Sequence, residues 1–594
     1  MKCYQKDYPR PQLVRKNWMN LNGEWDFAFD EKNLGEKEKW QEQFPDQHKI
    51  QVPFTYETPA SGIGRQERCD RVWYRKKICI SKQQAKRYLL HFEGCDFETR
   101  VWVNGQFSGS HKGGYSRFSF DVTELLHDGE NEICVSAQDS FDTRQPRGKQ
   151  RWRKENFACW YVQTTGIWKT VWMEEVPQLY VKSLKITPLL SQQSVQIDWE
   201  LEGGVRGADA SLEFSVSFQG KQIHQSSQKV SRPYGTTVFS VFCDDEDLGE
   251  YGVLLWAPGE PNLYDLDVKL CAKEAQDGVG SYFGMREIRI DQCNVLLNGR
   301  PLYQRLILDQ GYWEDSHLTP PSEEALTEDI DKILALGYNG VRKHQKTEDE
   351  RFLYWCDVKG VLVWSEMASA YEFDDYAVEE FTREWMEIVR QNYSHPSIIT
   401  WTPFNESWGI RYVETDRRQQ HFTEEIYHLT KAVDPYRPVI VNDGWEHTVS
   451  DIITLHDYEE EGKTFLERYT KLKEEILDTE VYHSSTKSAF ANGYGYQGQP
   501  VIISEFGGIA FDGTGEGWGY GNKVEDEDAF LRRFDEITTA VKEVPYACGY
   551  CYTQVTDVQQ EINGLMDMRR NFKVDPEKIR EINERKVGYW RSYM

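Results

Sequence analysis

From about residue 290 the chain changes rhythm, and short apolar runs rich in β-branched residues alternate with longer amphipathic stretches. The runs are YQRLIL (303–308), GVR (340–342), VLVW (361–364), IITWT (398–402), PVIVN (438–442), DIITL (451–455), VIISE (501–505) and CGYCYTQ (548–554). Apolar runs this short read as buried strands, and most of the segments between them read as helices. Leu326, Ile330, Ile333 and Leu334 share one helical face, and Gly337 ends that helix. Eight strands with helices between them predict a C-terminal (β/α)8 TIM barrel over 290–594.

The preceding sequence obeys a period of two. Residues 1–178 hold alternating segments such as TRVWVNGQFSGS and NEICVSAQDS, split by Gly, Asn and Asp turns, which is an all-β pattern. Residues 179–289 continue it in SVQIDWELEG, ASLEFSVSFQG and LYDLDVKLCA, at a length suited to a second β-sandwich. The expected class is therefore multidomain, β plus α/β.

Charge narrows the partners. A net charge of −27 argues against nucleic acid and anionic membranes, which select basic surfaces. No apolar run reaches the ~18–20 residues of a membrane span. The N-terminus, MKCYQKDYPRPQLVRKNW, lacks the apolar core of a secretory signal. The twelve cysteines show no framework spacing, so a reducing, cytoplasmic setting is expected. Cys548 and Cys551 spell C-x-x-C, but within a strand residues three apart face opposite ways, which makes their reading structural.

Active sites of such barrels lie at the C-terminal ends of the strands. Glu406, in PFNESWG, follows the fourth run, and Glu505 ends the seventh in VIISEFGG. Two carboxyls on one rim fit glycosidic bond hydrolysis, in which a protonated acid donates to the leaving oxygen and an ionised carboxylate engages the anomeric carbon. The apolar neighbours of Glu406 predict a raised pKa, suited to the acid. Aromatic faces pack on the C–H faces of pyranose rings, so Trp401, Trp408, Trp445 and Trp518, near the rim motifs, are candidate sugar contacts. Asn405-Glu406-Ser407 also spells a glycosylation acceptor, which needs a secreted chain and an exposed loop.

At these residues the chain resembles glycoside hydrolase family 2, which includes β-galactosidases and β-glucuronidases. LNGEWDFAFD, VWVNG, GGYSRFSFDVTELL and TTGIWKTVWME resemble its sugar-binding jelly-roll domain. LWAPGEPNLYDLDV resembles the end of its immunoglobulin-like β-sandwich, and NGVRKH, FNESWG and ISEFGG resemble its barrel motifs. The resemblance implies an exo-acting retaining β-glycosidase with Glu406 as acid/base and Glu505 as nucleophile. It implies that Asn405 contacts the sugar 2-hydroxyl and that Tyr458 hydrogen-bonds the nucleophile. Dimers and tetramers are frequent in the family, which leaves a homo-oligomer open.

Some positions depart from the family. Arg-x-Ser-His is replaced by Arg342-Lys343-His344-Gln345, with Arg342 and His344 expected to face the site. His-Glu is replaced by Asp309-Gln310, which alters the expected wall of the sugar pocket. Asn571-Phe572-Lys573 could be the Asn-x-Lys grip for a uronate. An ungapped alignment of EINGLMDMRRNFK instead brings Glu561 and Asn563 to that place, and an anionic Glu561 would repel a uronate. A neutral, β-galactoside-type sugar is therefore expected, ahead of a β-uronide. QTTGIWKTVW and DQGYW resemble a branch for which galactofuranosides or arabinosides stand beside it. No cofactor is expected. Some β-galactosidases of the family bind magnesium near the acid. Glu366 is the nearest candidate here, although a salt bridge is its plainer role.

Overall fold

The computed structural model describes residues 4–588 apart from 46, 206, 208, 245–251, 274, 472, 478–481, 485–486 and 512–516. The period-two sequence forms two β-sandwiches. In the first, a six-stranded sheet faces a four-stranded one. The long strands Arg71–Ile80 and Gly129–Gln138 pair antiparallel along their whole length, and Trp25, Tyr74, Leu90 and Val135 fill the space between the sheets. In the second, Ala210–Phe218 buries every alternate residue, from Ala210 through Leu212, Phe214 and Val216 to Phe218. That alternation gives one apolar face, which packs the four-stranded sheet against a three-stranded partner.

A small hairpin, Ile288–Asp291 with Asn294–Leu297, packs Val295 and Leu297 into the barrel core ahead of the first barrel strand. The barrel sheet then runs Ile398–Thr402, Leu362–Glu366, Gly340–Lys343, Gln304–Asp309, Ala547–Thr553, Val501–Gly507 and Ile453–His456, all parallel. The expected run PVIVN yields only Asn442–Asp443, paired with Phe404–Asn405, plus a bridge from Val439 to Trp401. Pro438 has no N–H to donate, and the amides of Val439 and Val441 bond to the side chains of Asp451 (2.9 Å) and Ser450 (3.2 Å). Ladder hydrogen bonds are therefore scarce there, yet the chain still fills the gap in the barrel.

The helices between strands follow their sequence signals. Ser322 caps Glu323–Ala335 by accepting from Ala325 N, Leu326, Ile330 and Ile333 are buried, and Gly337 follows at φ +83°. Leu334 lies at the margin of that face, partly buried. Cys548 and Cys551 are both buried free thiols within one strand, and burial pushes both thiols up. Among the described residues, no helix is long and apolar enough to cross a membrane.

Candidate active site

Strand alternation sends Arg342 into the barrel lumen and its neighbour Lys343 toward the helix layer. The Arg342 guanidinium is fully buried and meets three carboxylates: Glu366 Oε2 at 2.7 Å, Glu505 Oε1 at 2.7 Å and Asp443 Oδ2 at 2.9 Å. It also donates to Asn405 Oδ1 (2.7 Å) and to His344 Nδ1 (3.1 Å). Burial, Lys149 and Arg342 all push the His344 pKa down, so His344 is neutral and accepts.

His456, at the end of its strand, is the second cation. It donates from Nδ1 to Glu406 Oε1 (2.9 Å) and from Nε2 to Asp443 Oδ2 (3.0 Å), and Glu505 Oε2 lies 3.6 Å from Nδ1. Burial pushes this imidazole down, but Glu505, Asp443 and Glu406 outweigh it and raise the pKa to about 10. Its packing requires Gly444 (φ +104°), where a Cβ would lie 2.6 Å from His456 Nδ1.

Glu406 and Ser407 both take the left-handed conformation, at φ +51° and +58°. Such backbone is costly for side-chain-bearing residues and persists where the surroundings hold it. Here Glu406 N donates to Asp443 O (2.9 Å) and Ser407 N to Asn442 Oδ1 (3.0 Å). The turn leaves the Glu406 carboxyl 19% exposed, against 4% for Glu505. Glu406, His456 and Glu505 each offer an atom such that all three lie within 4.8 Å of one another.

Burial pushes the Glu505 carboxyl up, but His456 and Arg342 hold it below its ordinary value. Tyr458 OH donates to its second oxygen at 2.5 Å and also meets Thr553 Oγ1 at 3.1 Å. Glu406 differs from the sequence expectation. Burial does push it up, but the hydrogen bond and charge of His456, with Lys149 and Arg342, bring it below its ordinary value. The apolar residues around it are outweighed by an imidazolium that its neighbours in sequence do not reveal. Glu366, by contrast, is raised by burial to about 7, against the pull of Arg342.

Three polar residues expected in the site, Asp309, Asn571 and Lys573, lie elsewhere. Asp309 faces the helix layer, where it pairs with Lys343 Nζ (2.7 Å). Its neighbour Gln310 takes the inward place and donates to Tyr161 OH (3.1 Å) and Gln554 Oε1 (2.8 Å). Asn571 is exposed, with its amide on Asp567 Oδ2 (2.9 Å), and the Lys573 ammonium is committed to Asp557 (2.8 Å) and Ile562 O (2.9 Å). The buried residues at that rim are Glu561 and Asn563, joined at 3.0 Å.

The tryptophans divide. Trp401 is wholly buried behind the strand, donating to Asp434 (2.8 Å). Trp408 Nε1 reaches Glu406 Oε2 (3.3 Å), and Trp445 stands edge-on to His456 at 5.4 Å with its N–H unpartnered among the described residues. Trp518 sits at the rim against Tyr520, which stacks on Tyr458. The metal reading does not fit. Glu366 spends Oε2 on Arg342 and Oε1 on the Gln345 amide (3.1 Å), and both nitrogens of His456 donate to carboxylates.

Sequence reasoning missed Asp443, His456, Lys149 and Tyr161, whereas Gln310 was named with Asp309 as part of the pocket wall. Asp443 and His456 end strands or strand-like runs, so the rim rule applied to every polar strand end finds them. Lys149 and Tyr161 come from the first sandwich and carry no such signal.

Family profiles match in three consecutive blocks. The sugar binding domain of glycosyl hydrolases family 2 spans 18–171, a further glycosyl hydrolases family 2 profile 179–286 and the family 2 TIM barrel domain 288–581. A β-galactosidase from Thermoanaerobacter pseudethanolicus is 26% identical over 76% of this chain and 58% of its own length. A β-glucuronidase from Paenibacillus borealis is 21% identical over 96% and 98%. The chain spans little more than half of its first relatives, 51% for one from Formosa agariphila that is 27% identical. A GH2 β-galacturonidase from Eisenbergiella tayi bound to galacturonate superposes with a TM-score of 0.76, 20% identity, and coverage of 98% of this chain and 100% of that one. A Bifidobacterium dentium β-glucuronidase complexed with coumarin-3-O-glucuronide does so at 0.77, 18% identity, 98% and 99%. At these identities the structural likeness is one of fold. The three profiles follow one another in family order along nearly the whole sequence, and the chain belongs to glycosyl hydrolases family 2.

Proposed function

We propose that the chain is an exo-acting retaining β-glycosidase with Glu505 as nucleophile and Glu406 as acid/base. The observation that carries this reading is the approach of carboxyl oxygens of Glu406 and Glu505 to within 4.8 Å. Retaining enzymes hold their carboxyls ~5–5.5 Å apart, whereas inverting enzymes need ~6.5–9.5 Å for a water between them.

Glu505, ionised beside Arg342 and His456 and oriented by Tyr458, attacks the anomeric carbon. The bond to the aglycone breaks, and the leaving oxygen takes the proton of Glu406. Asn405 Nδ2 has no partner among the described residues, so it is free to donate to the 2-hydroxyl. Excluding water on substrate binding and the adjacent Glu505 charge both raise the proton affinity of Glu406. Once Glu505 is esterified its charge is gone and that affinity falls. Glu406 then takes a proton from water as the water adds to the anomeric carbon and frees Glu505.

For the sugar, a neutral β-galactoside-type glycone is supported by Glu561 and Asn563 at the rim where a uronate grip would stand. The β-uronide reading has one supporting observation, the buried ammonium of Lys149, and relatives named β-glucuronidase accompany it. The test is product NMR during hydrolysis of nitrophenyl β-galactoside, β-glucuronide, β-galacturonide, β-galactofuranoside and α-L-arabinofuranoside. Retained anomeric configuration is expected, with rates lowered about 10⁴-fold in Glu505→Gln. An inverted first product overturns the mechanism, and the sugar turned over fastest decides the glycone.

A further inference from the structure

The first sandwich sends a loop, residues 147–163, across the mouth of the barrel. Gly148, at φ +59°, lies so close that a Cβ would sit 2.5 Å from Gln345 O, and Tyr371 OH donates to Gly148 O (2.5 Å). Farther along, Tyr161 OH donates to Glu561, and Gln560 Nε2 donates to Ala158 O (2.8 Å). The loop is thus held at both ends by the barrel. Between those ends it carries Lys149, only 8% exposed.

A Lys ammonium has three protons to donate and no acceptor of its own. Among the described residues, the hydrogen bond found at Lys149 Nζ goes to a thiol, Cys159 Sγ, at 3.4 Å. A thiol is a weak acceptor, so among the described residues at least two of its N–H groups have no adequate protein partner. Leaving charged donors unmade is expensive. Burial pushes the ammonium toward losing its proton, but the charges around it, those of Glu561 and Glu406 among them, pull the other way and its pKa is raised. Its charge is felt by Glu406 on one side and by Glu561 on the other. In the same loop Trp160 packs edge-on to Trp408 (5.3 Å), whose Nε1 reaches Glu406, and Tyr161 bonds Glu561, so Lys149 sits on the segment that joins the acid side of the mouth to the far rim.

We propose that Lys149 is a substrate-binding residue lent by the jelly-roll domain, donating to glycone hydroxyls and forming with Glu561 a donor–acceptor clamp for a neutral sugar. Glu561 holds its acceptors ready with Asn563 on one oxygen and Tyr161 on the other. Ammonium and carboxylate sum to zero charge, which matches an uncharged glycone. Glu561 follows the eighth barrel strand, across the mouth from Glu406 after the fourth, so the clamp reads hydroxyls away from the scissile bond. This inference rests on the neutral-glycone reading above.

The test is to compare kcat and KM of the wild type and Lys149→Met on nitrophenyl β-galactoside, its 4-deoxy and 6-deoxy counterparts, and the β-glucuronide. The wild type should prefer the intact glycone over one of the deoxy sugars by about ten- to a hundredfold. Lys149→Met should erase that preference by raising KM on the intact sugar, with kcat changed only a fewfold and thermal stability maintained or increased. A wild type indifferent to both hydroxyls overturns the clamp, even where the variant does not fold. Equal losses on intact and deoxy sugars, or no loss, overturn the assignment of Lys149 while leaving the glycosidase reading standing. A wild type active on the glucuronide alone overturns the neutral glycone itself.

Discussion

Arg342 and Lys343 are neighbours on one strand, both buried and both ringed by carboxylates, and they head two very different charge clusters. On the outer face, Lys343 pairs with Asp309 and Glu348 at 2.7 Å each, and Lys346 pairs with Glu348 at 3.0 Å. Lys346 ends on the carbonyls of Gly311 (2.7 Å) and Leu318 (2.8 Å). Two ammoniums face two carboxylates, and the set is closed. Although burial opposes it, Lys343 and Lys346 hold Glu348 down at about 2.

On the inner face, Arg342 and His456 stand against Glu366, Glu406, Asp443 and Glu505. Carboxyls outnumber cations, and among the described residues Asn405 Nδ2 and Trp445 Nε1 have no acceptor. A closed ion cluster fixes how a helix layer sits on a strand. An open one leaves groups for a ligand, and under the proposed mechanism it faces a cationic, oxocarbenium-like centre.

The sharpest way to break this contrast is to remove each cation in turn. Arg342→Met and Lys343→Met should each cost about 3–5 kcal/mol in denaturant unfolding, because each leaves buried carboxylates unpaired. Arg342→Met should also lower kcat/KM by roughly 10³-fold, more than one lost transition-state donor and in line with a mispositioned nucleophile. Lys343→Met should keep the rate per folded molecule within a fewfold. Equal rate losses in the two variants would erase the distinction between the clusters.

A smaller effect, about 100-fold in rate, is expected for His456→Gln. Without the imidazolium, Glu505 and Glu406 both gain proton affinity, so both limbs of the pH–rate profile should move to higher pH. The stability difference between wild type and variant carries its own signature. The folded-state pKa of His456 is raised, so its ionisation stabilises the fold fully below about pH 6.5. That contribution should be lost as pH rises through about 10, which thermal melts across pH 6–10 would follow. The smallest change is expected at Asn571→Ala, within about twofold in kcat/KM on every sugar, since the side chain is exposed and bonds only to its own turn. A selective loss on a uronide would restore the Asn-x-Lys grip.

The chemistry of the site was half legible. PFNESWG and VIISEFGG place two glutamates at strand ends, and position along a strand is a local property that periodicity reports. The helix Glu323–Ala335 was equally readable, because its cap, apolar face and terminal glycine all lie within one short stretch. The PVIVN run misled, because a proline and two side-chain acceptors took the hydrogen bonds a full strand would have made. Asp309 misled because one residue of register decides which face of the sheet a side chain joins.

What the sequence determined by itself is the order of the architecture, two period-two sandwiches and then alternating strands and helices, together with the two carboxyls on one rim. What the tertiary structure alone decided is their ionisation and their surroundings. His456 bridges Glu406 and Asp443 within hydrogen-bond distance, although it is 50 residues from the first in sequence. The loop that carries Lys149 reaches the barrel from the first sandwich. A pKa depends on charges a few ångströms away through space. Spacing along the chain carries no record of those distances until the barrel closes and the loop is laid across it.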